Sequence, residues 1–599
     1  MQTIAPIRWR ASTKIGRSLS SRQVPASALQ GLRRSSQHVT RVNRGVRHAQ
    51  LVRGAAQQSV AESETEMAAK DVRVEELQSI VSDEADGKDT ETMSIVFVTS
   101  EVSPWSKTGG LADVCGALPA ALAEKGHRCM VVAPRYGYYE DALDTGVRTK
   151  VQCFGGSHEV GYFHHWTEEE NVDYVFVDHP SYQRPGSIYG NVHGEYGDNQ
   201  FRYTILCMAA IEAALQVPCG GAAYGDNVMF VCNDWHAALV PVYLAAKYRP
   251  GGVMLGARSI LAVHNLRHQG VYPPTTFGDL GIDGQYYPAL EYQYPEHLRQ
   301  GSYEEEGRSV NHMKAGICCA DRVVTVSPSY VGEIASPVGG WGMEWLLGGR
   351  SAKLTGVLNG ISKTEWNPAT DKLLPANYTS KDLSGKALCK ASLQEELGLP
   401  VDPSIPVIAF IGRLDFQKGV DILAQIVPWI TDNKCQLVML GTGEPYLEDA
   451  LRIAETNFRD QVRAWVGYDV AFSHRLTAGA DILVMPSRFE PCGLNQMYAM
   501  AYGTIPVAHA TGGLKDTVLS YDPFAGEGEE LGTGWAFAEH NANAFIGALD
   551  CAVTTYREYP ASFEKLQVSN MERDLSWSKA ADEYAQIFRW AFMDLPQTG

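Results

Sequence analysis

The sequence predicts an α/β protein built as two doubly wound domains facing one cleft, and three observations carry that prediction. From Met93 onward, short apolar runs alternate with amphipathic segments of helical length. The alternation falls into two series, split near "TGVLNGIS" at 355–362. A chain of 599 residues with 45% apolar and 20% charged residues can bury two sizeable cores.

The first series places strands at 95–99, 129–133, 172–177, 228–232, 259–263 and 322–326. The second places them at 407–411, 436–440, 462–466, 482–485 and 505–508. Helices fall between, for example at 111–124, 237–247, 420–431 and 447–457. Buried strands alternating with helices give parallel sheets with right-handed crossovers, and such sheets bind ligands beyond the carboxyl ends of their strands. The boundaries that follow are 93–358 and 359–575 for the two domains, with 576–599 a terminal amphipathic helix.

What precedes the domains differs in charge. Residues 1–61 hold eleven Lys or Arg and no Asp or Glu. That composition reads as an organellar leader over 1–56, the alternative being a basic arm for nucleic acid or membrane. Residues 57–92 read as a solvated acidic linker; 62–92 alone carry eleven acids against three bases. The net charge of −18 despite that basic start argues against non-specific nucleic-acid binding. No apolar run reaches the length of a membrane span. The twelve cysteines form no C-x-x-C, so they read as buried thiols of a reducing compartment, with a thiol switch left open.

The chemistry lies just past the strands. "KTGGLADV" (107–114) follows the first strand and "ATGGLKDTV" (510–518) follows the last, and each could present backbone N–H groups to one ligand. In the first, Lys107, Gly109, Gly110 and Asp113 are candidate contacts; in the second, Thr511, Gly512 and Gly513. The lysine-first order fits neither G-x-G-x-x-G nor a P-loop. "GRLDFQKG" (412–419) sets Arg413 and Lys418 on one loop, suited to a diphosphate leaving group or to an exposed basic loop. Glu490 precedes Cys492, Gly493 and Leu494, which are expected to open a helix whose free N–H groups bind oxyanions or sugar hydroxyls. "NDWHA" and "VHNLRHQG" put Asp234, His236, His264 and Asn265 at strand ends facing the same cleft. Asp198 and Asn199 precede a helix, as a hydroxyl contact or an N-cap.

In this order, these motifs resemble those of the starch and bacterial glycogen synthases, and "VDHPSYQRPGSIYG", "GDNQFRYTILC", "KYRPGG" and "FRWAFMDLP" look most like soluble starch synthase class I. The resemblance runs from Ser94 to the C-terminus. It implies two Rossmann-like domains of the GT-B type, with the terminal helix crossing back to the first. It implies retaining transfer of glucose from ADP-glucose to the non-reducing 4-OH of an α-1,4-glucan, in a plastid, with no metal or cofactor. Other enzymes of starch synthesis are the implied partners, and neither nucleic acid nor membrane is. Lys107 would contact the donor, Arg413 and Lys418 neutralise the leaving ADP, and Glu490 fix glucose hydroxyls with Cys492 and Gly493. Asp234 and His264 would lie near the reacting sugar, Tyr468 stack on adenine, and Glu101, Asn199, His236 and Asn359 complete the cleft. Retention by a carboxylate nucleophile or by same-face attack stays open at this level. So do a UDP-glucose donor, a pyridoxal-phosphate phosphorylase of the same fold and an inactive glucan-binding protein.

Overall fold

In the computed structural model, residues 92–191, 193–293, 308–526, 528 and 530–597 are described, and Thr90–Gly599 forms one compact unit. The leader and, apart from Thr92, the acidic linker lie outside the described residues.

The first sheet comprises β1 (Ser94–Val98), β2 (Arg128–Pro134), β3 (Leu143–Cys153), β4 (Gly156–His165), β5 (Val172–Asp178), β6 (Met229–Asn233), β7 (Arg258–Val263), β8 (Arg322–Thr325) and β9 (Leu354–Gly356). Their order is β9-β8-β7-β6-β1-β2-β5-β4-β3. All pair in parallel except β3 and β4, which close the edge as an antiparallel hairpin. That hairpin was absent from the expected strands because β3 alternates exposed and buried positions instead of presenting a continuous apolar run.

The second sheet comprises β10 (Val407–Ile411), β11 (Gln436–Gly441), β12 (Val462–Val466), β13 (Ile482–Met485), β14 (Ile505–His509) and β15 (Trp535–Phe537), in the order β12-β11-β10-β13-β14-β15. Every pairing in it is parallel. In both sheets the chain winds outward one way and then returns to wind the other. The resulting switch points lie between β1 and β6 and between β10 and β13, where loops diverge and leave a crevice.

Six helices set the site: α1 (Gly110–Glu124), α2 (Asn199–Gln216), α3 (Pro328–Ile334), α4 (Asn495–Ala501), α5 (Gly512–Thr517) and α6 (Trp577–Met593). The helix expected at 237–247 is instead Asp234–Ala237, Leu239–Tyr243 and a π-type turn at Leu244–Tyr248. Pro241 within it has no N–H to donate. The terminal helix α6 packs Ala581, Tyr584 and Phe588 into the first domain's core beside Ile95, Val114 and Leu118. Arg258 then binds its end, donating to the Ala591 and Asp594 carbonyls. The two crossings run side by side, Ile361 N–H donating to Leu575 O at 2.8 Å. Trp366, just past the outgoing crossing, is sandwiched between His474 and Tyr498 at ring separations of 4.0 and 3.8 Å. No helix among the described residues is long and apolar enough to cross a membrane.

Candidate active site

Both switch points are occupied by charged side chains. At the second, Lys418 from the loop after β10 and Glu490 from the loop after β13 meet, Nζ to Oε2 at 2.6 Å. Ser487 Oγ donates to the same Oε2 at 2.9 Å. Arg413, on the Lys418 loop, is exposed and paired with Asp415 at 3.2 Å and Gln417 at 3.0 Å. At the first switch point, Lys107 pairs with Asp113 Oδ1 at 2.6 Å, one helical turn into α1. Burial pulls the Lys107 ammonium down, but the Asp113, Glu365 and Tyr468 charges outweigh it and hold the group above the usual lysine range. Each cation is thus held by an acid before any anion enters.

The turn bearing Lys107 is built from beneath. Glu101, 4% exposed, accepts from Thr108 N (2.6 Å), Thr108 Oγ1 (2.9 Å), Gly109 N (3.2 Å) and Tyr189 OH (2.8 Å). Burial raises its carboxyl, and these donors oppose the rise. Asn199 stands one step further back: its Nδ2 donates to Tyr189 O and its Oδ1 accepts from buried Arg202. Glu101 and Asn199, expected to face a ligand, are therefore committed to protein partners, because the turn's amides need acceptors away from water. Asp198 stands at the N-cap position of α2 without a side-chain capping bond, its carboxylate being held in a two-bond pair by Arg184.

Asp234 sits at φ 55° and is buried. Its Oδ1 accepts from the N–H groups of His264 (2.8 Å) and Asn265 (3.3 Å), which fastens the loop after β7 to the end of β6. Burial pushes its carboxyl up to about 7, against those two amides, with Glu101 adding to the rise. His264 Nε2 faces Asn233 Oδ1 at 2.9 Å, and burial lowers its imidazole to about 4, so the ring is neutral. His236 is enclosed by Tyr189, Tyr203 and Trp235, with Nδ1 buried and unpartnered. Burial holds it well below the usual histidine range. Asn359 is also buried, its Oδ1 without a partner, beside the Cys492 thiol that burial pushes up to about 12.

Two expectations need correction. Cys492, Gly493 and Leu494 do not open a helix. Gly493 lies at φ 72°, a left-handed conformation, and α4 starts only at Asn495 with Leu494 as its N-cap. The turn at Thr511–Gly513 does not hold its N–H groups open either. Gly512 N and Thr511 Oγ1 donate to Glu333 Oε1 at 2.7 and 2.9 Å, and Gly513 N donates to the Glu490 and Pro491 carbonyls. Its glycines are required by backbone contact: an added Cβ would lie 2.1 Å from Glu490 O at Gly512 and 2.1 Å from Cys492 O at Gly513. Gly109 has nothing within 4 Å of that position, and Gly110 meets only the Leu494 side chain.

The structure brings the first-domain and second-domain groups together. Gly110 abuts Leu494, His268 feels the Arg413 charge, and Tyr468, 75% exposed, lies within electrostatic reach of Lys107. Sequence reasoning missed Tyr189, Ser487 and Glu333, single polar residues that no local pattern distinguishes. Among the described residues, one group of metal-ligand type, His164, Asp173 and Cys219, lies at the opposite rim, Asp173 being near the amino end of β5. There His164 is paired with Asp173 at 2.7 Å, and Tyr224 OH donates to the same carboxylate.

Comparison with known proteins places the chain in a family and a fold. The starch synthase catalytic domain model matches residues 94–349, and the model for glycosyl transferases group 1 matches 395–565. Soluble starch synthase 1 of Oryza sativa subsp. indica is 54% identical over 511 residues, 84% of this chain and 79% of that one. The chain belongs to the starch synthase family. Soluble starch synthase 1 of Solanum tuberosum is 50% identical over 548 residues, 90% of this chain and 85% of that one. Among solved structures, the catalytic domain of starch synthase IV from Arabidopsis thaliana, bound to ADP and acarbose, aligns with a TM-score of 0.74 at 31% identity. It covers 84% of this chain and 100% of that one. A sucrose-phosphate synthase from Thermosynechococcus elongatus, at TM-score 0.51 and 17% identity over 84% of this chain and 99% of that one, shares the fold. Two parallel-sheet domains with a returning C-terminal helix make this a GT-B architecture.

Proposed function

We propose that the chain is an ADP-glucose-dependent starch synthase (EC 2.4.1.21) of the plastid, transferring glucose with retention to the non-reducing 4-OH of an α-1,4-glucan. The observation that carries this reading is the meeting of Lys418 and Glu490 across the second switch point, with Arg413 beside them and Lys107 opposite. Cleaving a sugar–diphosphate bond leaves concentrated negative charge on the diphosphate and positive charge on the sugar. Fixed cations at that point stabilise the transition state more than the ground state.

In this reading Arg413 and Lys418 take the diphosphate from the second domain and Lys107 reaches it from the first. Glu490 keeps Oε2 on Lys418 and Ser487, so Oε1 is the atom offered to glucose hydroxyls. Gly109, with open space at its Cβ position, lets the donor approach the backbone. Tyr468 supplies an exposed ring for the adenine. Asp234 and neutral His264 face the reacting sugar, and complexes with other starch-synthesising enzymes belong to the same reading.

A donor-by-acceptor matrix tests it: ADP-glucose and UDP-glucose, each against maltose, short maltodextrins and glycogen. Turnover is expected with ADP-glucose and a glucan end. A strong preference for UDP-glucose would sink the assignment of the donor.

A further inference from the structure

The second glycine turn touches the first domain, and that contact has a direction. α3 belongs to the first domain and follows β8; α5 belongs to the second and follows β14. From α3 and its cap, five hydrogen bonds run to the α5 turn and the neighbouring Glu490 loop. Ser327 Oγ donates to Pro491 O at 2.7 Å. Ser329 gives its N–H and its Oγ to the two oxygens of Asp516, at 2.8 and 2.6 Å. Glu333 Oε1 takes Thr511 Oγ1 and Gly512 N, as described above. They use four groups of one short helix and its cap, Ser327 Oγ, Ser329 N–H, Ser329 Oγ and Glu333 Oε1, and reach Pro491 beside Glu490 and the α5 turn.

Glu490 is held from that side. Its carbonyl accepts from Gly513 N at 3.0 Å, and the backbone at Gly512 runs against the same carbonyl with no room for a Cβ. The Glu490 loop therefore takes its shape from the α5 turn, and the α5 turn has its first amide and its threonine hydroxyl satisfied by a carboxylate of the other domain. If the domains part, Gly512 N and Thr511 Oγ1 lose that acceptor. Water then takes the place of the carboxylate, and the turn loses the fixed acceptor that sets its conformation.

We propose that Glu333, supported by the Ser329–Asp516 pair, is a positioning residue that holds the Glu490 loop in its working geometry only while the two domains are together. Glu333 touches no reacting atom; it acts through Thr511, Gly512 and Gly513 on Glu490. The proposal rests on the glucosyltransferase reading for its kinetic consequence but not for its structural one. The hydrogen bonds border apolar packing, in which Tyr330 and Ile334 share a buried cluster with Cys492 and Met497, so the contact fixes the two turns in one mutual arrangement.

The test uses the full chain and three variants. Glu333→Ala removes the acceptor; Glu333→Gln keeps a carbonyl oxygen for both donors; Ser329→Ala removes one hydroxyl and covers the case in which Glu333→Ala does not fold. With ADP-glucose and glycogen, Glu333→Ala is expected to lower kcat about 10- to 100-fold, the scale of a misplaced catalytic contact, with KM for ADP-glucose changed less than about twofold. Glu333→Gln restores most of the loss, and Ser329→Ala lowers kcat about threefold. In parallel, spin labels on exposed Cys551 in the second domain and on Lys150→Cys in the exposed edge of β3 report the distance between domains. Glu333→Ala is expected to broaden that distribution toward longer distances and Glu333→Gln to leave it as in the parent. An unchanged distance distribution in Glu333→Ala overturns the proposal whatever the activity, and so does a parent-like kcat. A protein that opens in this way on substitution, but whose parent transfers no glucose, refutes the functional reading and leaves the latch standing.

Discussion

In the first Thr-Gly-Gly-Leu turn, at 108–111, Glu101 takes the threonine hydroxyl and the first glycine amide. In the second, at 511–514, Glu333 takes the same two groups. The chemistry of the two turns is alike, but the acid of the first comes from seven residues upstream in the same loop, and the acid of the second comes from the other domain. The first turn is complete within its own domain, braced by Tyr189 and Asn199. The second is complete only at the interface. One side of the cleft is thus preformed and the other is finished by apposition, which lets closure itself report on whether both walls are present.

The largest expected effect tests whether the two walls meet around one donor at all. Lys418→Ala and Glu490→Ala should each lower kcat by about two to three orders of magnitude, the scale of removing one positioned charge stabiliser. Transfer of labelled glucose to glycogen measures this, and full-rate transfer by either variant would remove these residues from the site.

A paired glycine substitution sharpens the contrast between the turns. Gly512→Ala puts a Cβ against a carbonyl at a φ of 46° and should cost about 3 kcal/mol or more of stability, read from denaturant unfolding. Gly109→Ala meets open space at an extended φ of −161°, so stability should stay within about 0.5 kcal/mol. If the donor crowds that backbone, KM for ADP-glucose should nevertheless rise about tenfold, or about 1.4 kcal/mol. An unaltered KM in the Gly109→Ala variant would show that the first glycine serves no close approach.

The smallest effect concerns pH. Asp234, raised to about 7 by burial, carries its proton below that pH and its charge above it. The parent's kcat should rise by up to about tenfold between pH 6 and 8 as the carboxylate forms near the developing sugar cation, and Asp234→Asn should flatten that limb. Stability runs the other way. The folded state binds this proton between about 4 and 7 where the unfolded chain does not, so the Asp234 contribution falls as pH rises through that window, by up to about 1.4 kcal/mol per unit. His264, lowered to about 4, gives an opposite slope between about 4 and 6.5, so the difference between parent and Asn variant isolates Asp234.

Much of this was legible in the sequence, for a physical reason. Continuous apolar runs such as 407–411 and 482–485 can only be buried strands flanked by helices, and the loops after them must lie at the carboxyl rim. Arg413 and Lys418 on one such loop suit a diphosphate, with an exposed basic loop as the alternative, and the roles of Lys107 and Glu490 come from the resemblance. The β3–β4 hairpin was not legible, since one of its faces is solvated and its apolar content is spread thin. Glu333 was not legible either. On a short helix its carboxylate looks like surface charge until the second domain is laid against it.

Sequence by itself determined the two series of strands and helices and which charged residues follow the strands, because strand burial is a local property of the pattern, while the strand order that makes the switch points came from the structure. Only the tertiary structure decided what those residues are joined to. It turned Glu101 and Asn199 from ligand contacts into braces, filled the amides of the second turn, and paired Lys418 with Glu490 across loops seventy-two residues apart. Those outcomes depend on desolvation and on partners brought from distant segments, and neither is encoded in any single stretch of chain.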